Sequence, residues 1–227
     1  MKLFKLVVLG GLIAGVMLAG SVQPCAEEAL SAYLGAGNCS IGNLVFGGFT
    51  YTPTALGTGS IVAASSITVV PVTTPGNVGL EFQANWTGQA AGGSDSAIGY
   101  FVASGSGAPI IDGADLGLIG SVTGEANAVL DEYICPGVQF SSTCTGQVHL
   151  DQSMGPGGEP PDPSGTFAPV SLIGLVKDIR VYGTTGSASV SQISNNYSQL
   201  PAGVPEPVTP LLTLGGLALL WRLRKIS

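Results

Sequence analysis

Between residues 22 and 199 no stretch of ten or more residues repeats its apolar positions at the helical period, whereas residues 78–86, VGLEFQANW, alternate strictly. Val78, Leu80, Phe82, Ala84 and Trp86 share one face and Glu81, Gln83 and Asn85 the other, as in a strand with one side buried. Further strands are expected over residues 44–51, 66–72, 97–103, 126–134, 147–150 and 170–182, separated by clusters of Gly, Ser and Pro. Residues 187–199, rich in serine, read as a last edge strand, and residues 26–33 as a short helix or turn ended by Gly35 and Gly37. The proline-rich segment 153–164, SMGPGGEPPDPS, reads as a surface loop. Such spacing predicts an all-β ectodomain over residues 22–199, an antiparallel, jelly-roll-like β-sandwich of two packed sheets.

Composition agrees. Gly and Pro fill 50 of 227 positions and only 9% of residues are charged, yet 45% are hydrophobic, so the chain can pay for order with a core. Five of the seven cations, Lys2, Lys5, Arg222, Arg224 and Lys225, lie at the two ends. The middle keeps Lys177 and Arg180 against thirteen carboxylates, a net of about −11. A surface of that sign repels nucleic acid and anionic lipid, which excludes both as expected partners of the ectodomain.

Residues 1–21 read as a secretory signal peptide: Lys2 and Lys5, an apolar run from Leu6 to Leu18, then Ala19, Gly20 and Ser21, with cleavage expected after Gly20 or Ser21. Val22, Gln23 and Pro24 before Cys25 do not form a lipobox, so Cys25 is expected to be structural. An exported chain with four cysteines is expected to make disulfides in one of three connectivities. Separation favours Cys25 with Cys39 and Cys135 with Cys144. A metal site is the sharper alternative, weakened by the absence of any C-x-x-C pair and by a single histidine, His149, expected exposed on a strand.

The last residues, 200–227, carry three unlike parts in order. Pro205, Glu206 and Pro207 hold an extended backbone that no helix or ladder sequesters. Val208 to Trp221 is an apolar run whose helix would span roughly 21 Å, short of a hydrocarbon core of about 30 Å. Arg222, Arg224 and Lys225 then resist translocation and keep that end cytoplasmic. This tail resembles a PEP-CTERM sorting signal. The resemblance implies that Pro205, Glu206 and Pro207 are the recognition motif of an exosortase, that residues 208–221 are a transmembrane helix held transiently in the inner membrane, and that Arg222, Arg224 and Lys225 are the stop signal. Pro210 departs from it by shortening the span further. Inside the chain, residues 39–46 (CSIGNLVF), 98–100 (IGY) and 176–181 (VKDIRV) resemble recurring features of PEP-CTERM ectodomains. The resemblance implies a surface or matrix protein of the cell envelope, associated with extracellular polysaccharide.

Catalytic motifs are missing from the sequence. It contains no G-x-S-x-G, no G-x-G-x-x-G and no P-loop, so neither a nucleophile elbow nor a phosphate cradle is expected. A glycosidase needs two carboxylates about 5–10 Å apart. Asp112 with Asp115 and Asp131 with Glu132 are the candidates, and both pairs read more simply as acids of loops and strand ends. Residues 112–115, DGAD, lack the register of a calcium loop. Trp86 and Tyr100 could line a sugar-binding face, although aromatics in alternating strands are more often core. The expectation is a protein without catalytic activity or cofactor, with a lectin-like carbohydrate-binding module as the alternative and a secreted hydrolase behind it.

Overall fold

The computed structural model describes residues 22–74, 77–105, 110–140, 144, 146–158 and 161–200. The expected signal peptide and the whole sorting signal, Pro205, Glu206, Pro207, Arg222, Arg224 and Lys225 included, lie outside the described residues. Among the described residues no helix is long and apolar enough to cross a membrane.

The chain opens with two short strands, β1 (Gln23–Pro24) and β2 (Glu28–Ala29), and one short helix, α1 (Leu30–Gly35). Strands then follow almost without interruption: β3 (Cys39–Ile41), β4 (Leu44–Gly57), β5 (Thr68–Thr74), β6 (Asn77–Gln89), β7 (Gly92–Ser104) and β8 (Ile110–Thr123). The remainder are β9 (Ala126–Pro136), β10 (Val148–Met154), β11 (Ser164–Val170), β12 (Leu172–Gly183) and β13 (Ser187–Leu200).

The ladders form two runs. In the first, β10, β9, β12, β7, β4, β3 and β1 are neighbours in that order. In the second the order is β11, β8, β13, β6, β5, β2. A single register pair, Gln89 with Gly92, joins them at the β6–β7 turn and makes one continuous 13-stranded sheet. Every pairing is antiparallel except β1 with β3. The two runs face one another: the Phe46 and Tyr100 rings of β4 and β7 lie 6.0 and 5.9 Å from Tyr197 of β13 and Phe82 of β6, respectively. The protein is thus an all-β, sandwich-like fold. The core takes alternate residues of both inner faces, Phe82 and Trp86 from β6, Ile98 and Val102 from β7, Leu130 and Ile134 from β9, and Ile193 from β13. The hairpin that folds one run over the other places Ala90 (φ 48°) and Ala91 (φ 62°) in the left-handed region, where a Cβ costs about 1–2 kcal/mol per residue.

Three expectations need correction. Residues 187–199 are no edge strand: β13 lies between β6 and β8, its serines on one side and Val190, Ile193 and Tyr197 buried on the other. Residues 110–123, assigned no strand in the sequence analysis, form β8. Its glycines conceal the pattern, since Gly113 and Gly117 stand where a Cβ would meet the hydroxyls of Ser198 and Ser194 at 2.6 and 2.4 Å. The strand expected over 170–182 is β12 from Leu172 onward, whereas Val170 ends β11, a separate strand that pairs with the opposite run.

Candidate functional site

Both expected disulfides form, Cys25–Cys39 and Cys135–Cys144. The first ties the start of the described chain to β3. The second lies on the outer face of the first run and fastens the loop after β9 over it. Gly174 of β12 admits that loop, because a Cβ there would meet the Phe140 backbone nitrogen at 1.9 Å.

Beside the loop lies a depression of about 230 Å³, lined by Thr50, Gly99, Phe101, Val176, Gln139 and Phe140 among others. Its floor is glycine; a Cβ on Gly99 would crowd Thr50 Oγ1 at 2.5 Å. The registers continue it across the sheet, since Thr50, Gly99, Val176, Tyr133 and His149 form one row. The Tyr133 and His149 rings stack at 4.5 Å with 2° between planes. The next row holds Ala97, Asp178, Asp131 and Asp151, and the one after it Asp95 and Arg180. Asp131 Oδ1 contacts His149 Nε2 at 2.8 Å, and Arg180 Nε donates to Asp95 Oδ2 at 3.3 Å. Burial, with a hydrogen bond and charge from Asp95, pushes the Asp178 carboxyl up to about 6.

Of the acid pairs weighed from the sequence, one is split by the sheet and the other has separate partners. Asp131 and Glu132 are adjacent in β9 and therefore point to opposite faces, Asp131 outward to His149 and Glu132 into the core. Asp112 accepts a hydrogen bond from Ser198, and the exposed Asp115 has its carboxyl raised by partial burial and by Asp162. No group of three or more His, Cys, Asp or Glu among the described residues suits a metal ion. Trp86 and Tyr100 are core residues: Trp86 donates to Ser96 Oγ at 3.2 Å, and Tyr100 is 3% exposed.

The polar centre that sequence reading missed lies inside the sandwich. Lys177 of β12 and Glu132 of β9 are register partners, both 0% exposed, and Lys177 Nζ donates to Glu132 Oε2 at 2.6 Å. From the facing run, Asn195 of β13 donates Nδ2 to the same Oε2 at 3.1 Å and to the Asp115 carbonyl at 2.9 Å. Its Oδ1 accepts from the Tyr100 hydroxyl at 2.9 Å and from the Tyr197 hydroxyl. The two hydroxyls lie 2.8 Å apart. Phe46, Phe49 and Phe82 pack around the phenols with centroids 5.3–6.5 Å away. Burial dominates the ionisation of both partners, lowering the Lys177 amine and raising the Glu132 carboxyl. Both shifts favour the neutral pair, amine beside carboxylic acid. Coordination agrees: Glu132 is the only hydrogen-bond partner of Lys177 among the described residues, and Glu132 Oε1 has none there.

The columns containing these residues were visible in the sequence. Lys177 follows Ile173 and Leu175 and precedes Ile179 and Val181 at alternate positions, Glu132 stands between Leu130 and Ile134, and Asn195 between Ile193 and Tyr197. A polar residue inside such a column is a candidate buried partner.

No family model and no curated protein matches the chain. Among solved structures, the fold is similar to TmCBM61 in complex with beta-1,4-galactotriose, at TM-score 0.30 and 8% identity, over 64% of this chain and 86% of that one. A likeness of that degree assigns neither ligand nor role to this chain.

Proposed function

We propose that this is an exported, non-catalytic protein of the cell surface or extracellular matrix, sorted through its C-terminal PEP-CTERM signal and contacting extracellular polysaccharide with the outer face of its first sheet run. The orders β6–β13–β8–β11 and β7–β12–β9–β10 are read as the two sheets of a jelly roll. The observation that carries the polysaccharide contact is the glycine-floored depression between Phe101 and Phe140, continued by the Tyr133–His149 stack. Flat glycine ground lets a sugar ring approach the sheet, aromatic faces suit its C–H surface, and the carboxylates of the neighbouring rows accept from hydroxyls. The two disulfides favour an oxidising compartment.

The test is a glycan array probed with the purified protein, repeated with Phe101→Ala and Phe140→Ala. Binding that both variants lose supports the face. Absence of binding to every polysaccharide removes this contact from the reading. Sorting is tested separately by the C-terminus of the protein recovered from its own cells, expected to lack the residues after Pro207. Recovery with Arg222, Arg224 and Lys225 still attached overturns it.

A further inference from the structure

We propose that Lys177 and Asn195 join in an intramolecular isopeptide bond, with Glu132 as the proton carrier and the Tyr100 and Tyr197 hydroxyls holding the amide oxygen. A nucleophile, an electrophile and a proton carrier for such a bond are gathered around one carboxylate oxygen. The nucleophile is a fully buried amine whose proton has an adjacent acceptor, Glu132 Oε2 at 2.6 Å. The electrophile is the Asn195 carboxamide, whose Oδ1 is polarised by two phenolic O–H donors placed where negative charge develops on attack. Its leaving nitrogen Nδ2 touches the same carboxylate oxygen at 3.1 Å, so one group serves amine and leaving group alike. The surrounding Phe46, Phe49 and Phe82 keep water away, which removes the competing hydrolysis of Asn195 and strengthens each polar contact.

The step balances without a co-reactant. Glu132 takes a proton from the Lys177 ammonium, leaving a neutral amine and a carboxylic acid. Nζ then attacks Cγ of Asn195, forming the N–C bond, and the carbonyl electron pair moves to Oδ1 between the two phenols. Glu132 gives its proton to Nδ2, the Cγ–Nδ2 bond breaks and ammonia departs. The carboxylate recovers a proton from Nζ as the amide forms. Amine and carboxamide become amide and ammonia, and nothing is oxidised or reduced. The reaction occurs once per molecule, so it is a maturation step. Its product ties β12 of one run to β13 of the other, where no disulfide does so.

The full chain, purified, reduced and denatured, is expected to weigh about 17 Da less than its sequence between identified ends, one ammonia lost. Trypsin gives the decisive readout. Lys177 and Arg180 are the only cations between residues 26 and 200, so cleavage after Arg180 separates an unlinked chain into pieces. A linked chain keeps the piece containing Asn195 bonded to Lys177, and tandem mass spectrometry locates the branched peptide. In Glu132→Gln and Lys177→Met the branch and the mass loss are expected to vanish. A wild-type chain that separates fully after reduction and trypsin overturns the proposal, as does a mass loss without the Lys177–Asn195 branch. A branch that persists in Glu132→Gln overturns the role given to Glu132.

Discussion

The two faces of the first sheet run carry the same kinds of group in opposite circumstances. On the inner face Glu132 of β9 meets Lys177 of β12 with neither exposed; on the outer face Asp131, the next residue of β9, meets His149 of β10, and Arg180, three residues further along β12, meets Asp95 of β7, with side chains partly in solvent. Strand alternation alone separates them. Inside, desolvation drives both partners toward neutrality; outside, water and salt screen the charges and leave them accessible on the surface. Neighbouring acids in one sequence can thus have unrelated chemistry.

The sharpest way to break this contrast is to delete one inner partner. Glu132→Ala leaves the Lys177 amine buried alone and is expected to cost about 3–5 kcal/mol, measured by denaturant unfolding at pH 7. An effect below about 1 kcal/mol would mean that water reaches the cluster. Next in size, Cys135→Ser with Cys144→Ser frees the loop that covers Gly174 and is expected to cost about 2–3 kcal/mol. The same variant should weaken polysaccharide binding without altering the inner cluster.

Asp178 gives a smaller, pH-dependent effect. Its folded carboxyl is pushed up to about 6 by burial and by Asp95, above the ordinary aspartate range, so the folded state holds the extra proton. The stability this contributes is fully present below about pH 4 and is lost as pH rises through 6. Asp178→Asn should therefore stabilise the protein at pH 7 by about 1 kcal/mol, after discount for its partial exposure, with the gain fading below pH 4. Thermal unfolding of both proteins from pH 3 to 8 checks the sign. Smallest of all, Asp131→Ala is expected to change stability by under about 1 kcal/mol, less still at high salt.

What was legible in the sequence follows from period and separation. Residues 78–86 alternate without interruption and form the middle of β6, and the short separations of the cysteines matched their pairing. Strand β8 was hidden because two of its outward positions, Gly113 and Gly117, are glycine opposite Ser198 and Ser194, and a third, Ile119, is an exposed apolar residue, so the face shows no polar alternation. The central place of β13 was hidden because serine is tolerated on the solvent-facing side of a central strand as well as at an edge. The outer depression was not legible either: Gly48 and Gly99, Phe101 and Phe140 are scattered over nearly a hundred positions and meet only through the β4, β7 and β12 registers. The inner cluster has the opposite standing, since Lys177, Glu132 and Asn195 each interrupt an apolar column, and what sequence withholds is only that the three interruptions coincide.

Strand β13 runs to Leu200, paired along most of its length with β6 on one side and β8 on the other. Tension applied to the chain beyond Leu200 would pull this strand along its own axis. Two ladders must then shear together, where an edge strand would shear only one. A pull through that end would load a strand held on both sides.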